Sequence, residues 1–230
     1  MPKSLKPRAG ARPHGTPARS ADLPRDVLDE VRRATRPSGQ RDVIARLSRA
    51  IELLDRGDDG AAAREAEKAR TLSPRSSAVR EVLGLAMYGQ ERYADALKEL
   101  KAYKRISGRN DQNHVIADCL RAVGRPRDAI PLADEALRDP KVSNEVKAEA
   151  VIVAASALAD EGRSAEALAF LGRARTRADV AEPYTLRLWY VKGDILARVG
   201  RNDEAAAEFR KVVRHDPSAF DAAERLAQLG

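Results

Sequence analysis

The 230-residue sequence predicts an all-α protein, a right-handed superhelical solenoid of about five helix-turn-helix units with a capping helix at each end. One observation is a glycine followed five residues later by an alanine, a pair that recurs along most of the chain. Another is the composition, which is 43% hydrophobic but only 4% aromatic. The core must therefore be built from aliphatic side chains, which suits helices that pack closely together. A repeat of this kind indicates stacked supersecondary units rather than a single globular core.

The recurring pairs set the length of the repeat. They are Gly57/Ala62, Gly124/Ala129, Gly162/Ala167 and Gly200/Ala205, and a fifth copy keeps Ala96 but has Glu91 in the glycine position. Successive alanines are 34, 33, 38 and 38 residues apart. We expect the glycine to end the first helix in a left-handed conformation and the alanine to let the second helix approach closely. The two longer spacings predict longer helices or loops near residues 138–150 and 175–185.

The second helix of the last unit shows the expected packing pattern. An apolar stripe at helical spacing is formed by Ala205, Phe209, Val212 and Val213. Asp216 and Pro217 follow it as helix-starting residues, so we predict a final capping helix over residues 217–229.

These residues resemble the signature of the tetratricopeptide repeat (TPR) family. The last unit matches the family spacing best, with Trp189, Gly193, Leu196, Gly200, Ala205, Phe209 and Pro217. The resemblance covers residues 42–230, and the chain is also similar to actinobacterial TPR proteins of unassigned function. It implies a module that binds other proteins or peptides, and it implies no activity.

The repeat register divides the chain into three parts. Residues 1–22 are a basic Pro/Gly/Arg-rich tail that we expect to be disordered, and residues 23–41 are an N-terminal capping helix and linker. Residues 42–230 are the solenoid, with repeats near 43–76, 77–109, 110–143, 148–181 and 186–217.

The first unit needs a cover for its apolar face, which carries Ile44, Leu47, Ile51 and Leu54 at helical spacing. The preceding segment offers a matching apolar face, made of Leu23, Val27, Leu28 and Val31. We therefore predict that this segment packs on the first unit as a cap.

The net charge of +7 is unevenly distributed. Residues 1–41 hold ten Lys/Arg and four Asp/Glu, whereas residues 42–230 hold 32 and 31. The single cysteine, Cys119, excludes an intramolecular disulfide and favours a reducing compartment. The longest apolar run, residues 150–159, is shorter than the roughly 20 residues of a membrane span. We expect a cytoplasmic protein that does not associate with membranes.

The sequence offers little for catalysis. It has no phosphate-binding glycine loop and no HExxH motif, and one cysteine cannot form a cysteine-rich metal site. His114, Asp118 and Cys119 are the only suggestive cluster. We interpret Cys119 as a buried small hydrophobe and His114 with Asp118 as an i, i+4 surface pair. The prediction is a protein without catalytic residues, cofactor or metal.

The TPR resemblance implies that the face of each first helix opposite the core lines a concave groove. The acids at these inner-register positions are Asp55, Glu81, Asp111, Asp118, Glu149, Asp160 and Asp194, and the bases are Arg121, Arg187 and Arg198. The neutral ones are Tyr88, His114, Ser156 and Tyr190, while Trp189 is expected in the core. Seven acids against three bases predict an acidic groove that binds a basic protein or peptide segment, for which the tail is one candidate.

A nucleic-acid partner is the alternative. The tail could attract phosphates, together with a stripe made of Lys98, Lys101, Lys104, Arg105 and Arg109. The interleaved Glu99 and the near-neutral repeat region favour an ordinary solvated helix face instead. The tail could equally serve only to keep the protein soluble.

Overall fold

The computed structural model describes residues 23–174 and 182–229, which contain twelve α-helices and no strand. The chain divides into two compact units between Cys119 and Leu120. The predicted disorder of residues 1–22 and part of the predicted second long loop lie outside the described residues.

The first unit holds six helices. They are α1 (Arg25–Ala34), α2 (Gln40–Asp55), α3 (Asp59–Leu72), α4 (Ser77–Gly89), α5 (Tyr93–Ser107) and α6 (Asn113–Ala122), which crosses the division between the units. Helix α2 packs on α3, α3 on α4 and α4 on α5, while α1 contacts both α2 and α4. This is the helix-turn-helix packing that the repeat predicts.

The second unit holds the remaining helices. They are α7 (Ala129–Arg138), α8 (Asn144–Asp160), α9 (Ser164–Leu171), α10 (Pro183–Arg198), α11 (Asn202–His215) and α12 (Ala222–Leu229). Helix α8 contacts α7, α9 and α10, and α11 packs between α10 and α12. With 17 residues α8 is the longest of the described helices, which accounts for the longer spacing at this point. The exact repeat boundaries stay a prediction.

The turn after the first helix of each pair contains one residue in the left-handed conformation. Gly57, Gly124, Gly162 and Gly200 have φ angles of 76°, 77°, 78° and 76°. Glu91, which replaces glycine in the remaining copy, has a φ of 62°. The expected left-handed turn is therefore present even where the sequence has no glycine.

Two other glycines set the distance between paired helices. A Cβ on Gly84 of α4 would lie 2.6 Å from Cγ of Leu100 on α5. A Cβ on Gly193 of α10 would lie 2.9 Å from Cε1 of Phe209 on α11. Both distances are too short for real carbon contacts, so these helix pairs pack as closely as they do because these positions carry no side chain.

Helix α1 lies where the sequence predicts a cap, but polar contacts hold it as much as apolar ones. Val31 and Leu23 are buried, whereas Val27 and Leu28 are half-buried. The Glu30 carboxylate accepts hydrogen bonds from the Ser76 hydroxyl (2.8 Å) and the Ser77 backbone N–H (2.6 Å). It thereby caps the N-terminus of α4, where a negative charge is favourable.

The predicted cover of the first unit is wrong in part. The buried stripe of α2 is Val43, Leu47 and Ala50, and Ile51 and Leu54 are half-buried. Ile44 lies in an open depression that is also lined by Arg32, Pro37, Gln40, Ala45 and Ser48. The physical reason is the corner between the helices, where Gln40 Nε2 donates to the carbonyl oxygens of Arg32 and Thr35 at 3.0 and 3.2 Å. This corner leaves α1 in contact with α4 as well as α2.

The C-terminal cap begins later than predicted. Residues 217–221 form turns, and α12 starts at Ala222. Asp216 Oδ1 accepts hydrogen bonds from the backbone N–H and the hydroxyl of Ser218, as a helix start would require. Phe220, however, has a φ of 58°, and this left-handed residue is incompatible with a helix running through it.

Candidate peptide-binding face

Five of the inner-register residues lie on α4, on α6 or directly before α6. Glu81 and Tyr88 lie seven residues apart on α4, Asp111 lies two residues before the start of α6, and His114 and Asp118 lie on α6. Two hydrogen bonds join the helices: Gln112 Nε2 donates to Glu81 Oε1 at 2.7 Å, and the Tyr88 hydroxyl donates to Asp118 Oδ2 at 2.6 Å. We call these five residues the α4–α6 face.

At one end of the α4–α6 face, two carboxyl groups share a crowded polar environment. Asp111 Oδ1 accepts the Tyr103 hydroxyl at 2.6 Å, and Asp111 Oδ2 pairs with Arg109 Nη2 at 2.5 Å. The pKa of Glu81 is raised from 4.5 to about 7, chiefly by burial and then by the charge of Asp111. Burial and the neighbouring carboxylates also raise the pKa of Tyr103.

Sequence reasoning missed Gln112 and Tyr103 as members of this cluster. Gln112 is only 2% exposed, and its Oε1 has no hydrogen-bond partner among the described residues. Tyr103 is buried and lies in the second helix of its pair, outside the inner-register set. The only available signal was the position of Gln112 directly after Asp111.

The predicted surface pair of His114 and Asp118 is wrong for Asp118. This residue is 5% exposed because α6 turns it toward α4, where it accepts the Tyr88 hydrogen bond. Cys119 is completely buried, and burial raises the pKa of its thiol to about 12. The interpretation of Cys119 as a buried hydrophobe is confirmed.

In the second unit, the inner-register acids are engaged with arginines. Glu149 on α8 and Arg187 on α10 form a buried ion pair at 2.8 Å. Asp160 pairs with Arg121 at 2.9 Å and lies 3.7 Å from Arg198. Ser156 is also engaged, since its hydroxyl donates to the Ile152 carbonyl at 2.9 Å.

The C-terminal segment buries two further inner-register residues, Tyr190 and Asp194. Tyr190 is 4% exposed, its ring packs against Phe209 and Phe220, and its hydroxyl donates to Asp221. Asp194 pairs with Arg198 of its own helix at 2.6 Å and with Arg225 of α12 at 2.8 Å. The predicted role of Tyr190 as a groove contact is therefore wrong, because residues 220–225 cover this part of α10.

Trp189 is less buried than predicted. Its ring is half-buried and stacks on His215 at a centroid distance of 5.4 Å. The amino group of Lys211 lies 6.0 Å from the centre of the same ring. The tryptophan therefore joins α10 to α11 at the edge of the core, while the neighbouring Tyr190 takes the enclosed position.

The charge excess at inner-register positions belongs to one unit. Four of the seven acids (Asp55, Glu81, Asp111 and Asp118) lie in the first unit, which has no inner-register base. The second unit has three acids and three bases at these positions. The whole predicted excess of four acids thus lies on the first helices of the first unit.

The basic stripe on α5 is smaller than the sequence indicates. Lys98, Lys101 and Arg105 are exposed, but Lys104 is half-buried and donates to Asn113 Oδ1 at 3.0 Å. Arg109 pairs with Asp111, as described above. Glu99 is 4% exposed and pairs with Arg80 at 2.5 Å, so it does not neutralise the stripe at the surface.

Residues 23–174 and 182–229 contain neither a metal-binding cluster nor a membrane-spanning helix. No group of three or more His, Cys, Asp or Glu residues there is arranged to hold a metal ion. No helix within these ranges is long and apolar enough to cross a membrane.

Family models for the tetratricopeptide repeat match most of the sequence. One matches residues 47–111 and 115–182, and a second matches residues 186–229. The chain therefore belongs to the tetratricopeptide repeat family, and the resemblance drawn from its glycines and alanines is confirmed. A TPR fold supports a protein–protein interaction scaffold in general.

Solved TPR structures share the fold. YrrB, described as a TPR protein with an unusual peptide-binding site, is 20% identical, with a TM-score of 0.57 over 81% of this chain and 93% of its own. TTC0263, a thermophilic TPR protein of Thermus thermophilus, is also 20% identical, with a TM-score of 0.63 over 81% of this chain and 98% of its own. No curated protein matches the sequence.

Proposed function

We propose that this protein is a non-catalytic scaffold that binds a basic segment of a protein or peptide on the α4–α6 face. The observation that carries the proposal is the charge of the first unit, whose inner-register positions hold four acids and no base. Carboxylates of one sign on one surface attract a cationic chain and disfavour a phosphate backbone. The second unit offers no comparable attraction, since three bases balance the three acids at its inner-register positions.

The chemistry of the α4–α6 face supports a lysine- or arginine-rich ligand. Glu81 and Asp111 supply carboxylates that can accept the N–H groups of ammonium or guanidinium ions. The half-buried ring of Tyr88 can pack against the aliphatic part of such a side chain, or against its charge. The peptide-binding site named for YrrB supports peptide recognition on this type of fold.

Charge reversal on the α4–α6 face tests the proposal. Binding of an arginine-rich peptide to the full chain should weaken tenfold or more, on the order of 1.4 kcal/mol, in Glu81→Lys/Asp118→Lys. The matched control is Asp29→Lys/Asp95→Lys, which makes the same change of net charge at exposed positions outside this face. The control should change affinity far less.

Because Asp118 is buried, a lysine there could disturb folding. The second variant, Glu81→Gln/Asp118→Asn, removes the charges and keeps the side-chain sizes. Circular dichroism checks that each variant keeps its helices. If the folded neutral variant binds the peptide as tightly as the unaltered protein does, the assignment to the α4–α6 face is wrong.

We further propose that the N-terminal tail competes for the same face. Residues 1–22 carry five Lys/Arg and one Asp, and tethering gives such a segment an effective concentration on the order of mM. Removal of residues 1–22 should therefore tighten binding of an external basic peptide. Unchanged affinity would defeat this competition and leave the binding proposal intact.

Nucleic-acid binding is the second candidate, favoured by the burial of Glu99 beneath the exposed bases of α5. Lys98, Lys101 and Arg105 could then act together with the tail. A filter-binding titration with RNA separates the two functions: strong binding that falls steeply with salt concentration supports this candidate. Weak binding at all salt concentrations supports the peptide scaffold.

A further inference from the structure

The pairing of Glu81 with Gln112 leaves one strong acceptor unused. Gln112 Nε2 donates to Glu81 Oε1, yet Gln112 Oε1, on the same planar amide group, has no partner among the described residues. Leaving a buried polar atom without a hydrogen bond destabilises the folded protein. An ionised Glu81 cannot relieve this cost, because a carboxylate only accepts hydrogen bonds.

A protonated Glu81 would satisfy the amide. A carboxylic acid and a primary amide can form two hydrogen bonds side by side, in which the amide N–H donates to one acid oxygen and the acid O–H donates to the amide oxygen. The first bond is already present at 2.7 Å. The second requires a proton on the other oxygen of Glu81, with that oxygen within hydrogen-bond distance of Gln112 Oε1. Burial and the charge of Asp111, which raise the pKa of Glu81 to about 7, favour the same protonation state.

The surroundings of Glu81 are consistent with a neutral acid. Burial and Asp111 disfavour the charged form, and the hydrogen bond from Gln112 and the positive charge of Arg109 only partly offset their effect on the pKa of Glu81. Tyr103 of α5 is hydrogen-bonded to Asp111. Closer to the start of α4, Arg80 is paired with Glu99 of α5, and Glu30 of α1 is bonded to Ser76 and Ser77.

We propose that binding of a basic segment on the α4–α6 face releases a proton from Glu81, which the free protein holds as a carboxylic acid paired with the Gln112 amide. The inference rests on the proposed function and adds how that function depends on pH. A lysine or arginine beside Glu81 stabilises the carboxylate, so the proton passes to solvent when the ligand binds. Affinity for a basic segment therefore rises as pH rises through about 7.

Calorimetry of the full chain with a blocked, histidine-free arginine peptide measures this coupling. Between pH 6 and 8 the affinity should rise about tenfold, as expected for one proton and a bound-state pKa near that of an ordinary Glu. Titrations at pH 6.5 in two buffers of different ionisation enthalpy should give release of about half a proton or more per peptide. In Glu81→Gln both effects should disappear.

Two variants test whether the pH dependence of binding arises from Glu81 or from its neighbours on the α4–α6 face. A positively charged histidine on this face would also weaken binding of a basic segment. His114→Gln should nevertheless keep the pH dependence and the proton release. Asp118→Asn should lower affinity at every pH and keep the same dependence. Loss of the dependence in His114→Gln would overturn the assignment to Glu81.

A ligand-free measurement makes the inference testable apart from the proposed function. In the full chain labelled with ¹³C-glutamate, the resonance absent from Glu81→Gln should titrate near pH 7. A titration near pH 4.5 overturns the proton-holding role whether or not a peptide binds. Conversely, a titration near pH 7 without peptide binding at any pH would leave Glu81 protonated as inferred but reject both the binding function and its coupling to the proton.

Discussion

Glu91 is a single residue held in a backbone conformation that four glycines adopt at the corresponding turns. Its φ of 62° places a side chain in the left-handed region, which costs L-residues other than glycine roughly 1–2 kcal/mol. Its backbone N–H nevertheless donates to the Tyr88 carbonyl at 2.9 Å and closes the turn. The repeat thus imposes the left-handed conformation at this turn, and the residue type changes only the free energy of that conformation.

Glu91→Gly should therefore stabilise the protein. The expected gain is up to about 1 kcal/mol, because the relief at the left-handed position exceeds the entropy that glycine adds to the unfolded chain. Gly162→Ala is the converse change and should cost about 1 kcal/mol, since a Cβ there meets no atom and only the φ of 78° opposes it. Urea unfolding followed by circular dichroism measures both. A destabilised Glu91→Gly would contradict this reading of the turn.

Glu81 should also give stability a specific pH dependence. Because its folded pKa of about 7 lies above the ordinary 4.5, the folded state binds the proton more tightly than the unfolded state. This contribution to stability is present at low pH and is lost as pH rises from about 4.5 through 7. Relative to Glu81→Gln, the melting temperature of the unaltered protein should fall over this range. A constant difference between the two proteins would show that Glu81 is an ordinary exposed acid.

At the scale of elements, the N-terminal cap depends on one fully buried side chain and one carboxylate. Val31 packs in the interior of the first unit, and Glu30 bonds to the start of α4. Val31→Asp should therefore destabilise the protein by several kcal/mol and promote self-association through the uncovered apolar surface. Val27→Asp is the matched control and should cost less, because Val27 is half-buried.

Melting temperature and elution volume test the two valine variants. Unchanged melting and monomeric elution of Val31→Asp would mean that α1 does not cover the first unit. A Val27→Asp variant as damaged as Val31→Asp would restore the sequence-based expectation that Val27 lies at the centre of the cap.

Sequence reasoning predicted those elements that depend on a local requirement. The left-handed turns and the paired helices each follow from residues within a few positions of one another, as with Gly124 and Ala129. The start of α12 was missed because a favourable helix start at Asp216 is overridden by the left-handed Phe220. Element boundaries depend on such competitions, which composition and periodicity do not resolve.

Less of the candidate site than of the fold could be predicted from the sequence. The repeat register placed Glu81, Tyr88 and Asp118 on one side of their helices, and in the structure Tyr88 is hydrogen-bonded to Asp118. The binding role of these residues stays a prediction. It could not show that residues from a later segment cover Tyr190, or that Arg187 and Glu149 bury each other. Contacts between residues far apart in the chain depend on tertiary packing, which the residue pattern of a single helix does not reveal.

At the scale of the whole molecule, opposite charges are concentrated in different parts of the chain. The first 41 residues hold ten Lys/Arg against four Asp/Glu. The four unbalanced inner-register acids lie within the first unit, in residues 55–118. The proposed acidic face would thus belong to a nearly neutral set of repeats, so net charge alone does not indicate which ligand the protein prefers.

The central claim is that a basic segment binds the α4–α6 face, and an amide-resolved NMR titration tests it most directly. With the full chain and an arginine-rich peptide at pH 8, shifts should concentrate on Ser77–Gly89 and Asn113–Ala122, with the exposed surface of α5 and the helices α10 to α12 little changed. The same titration of Glu81→Gln/Asp118→Asn should show much weaker shifts. Shifts centred on α10 to α12, or equal shifts in the neutral variant, would contradict the account.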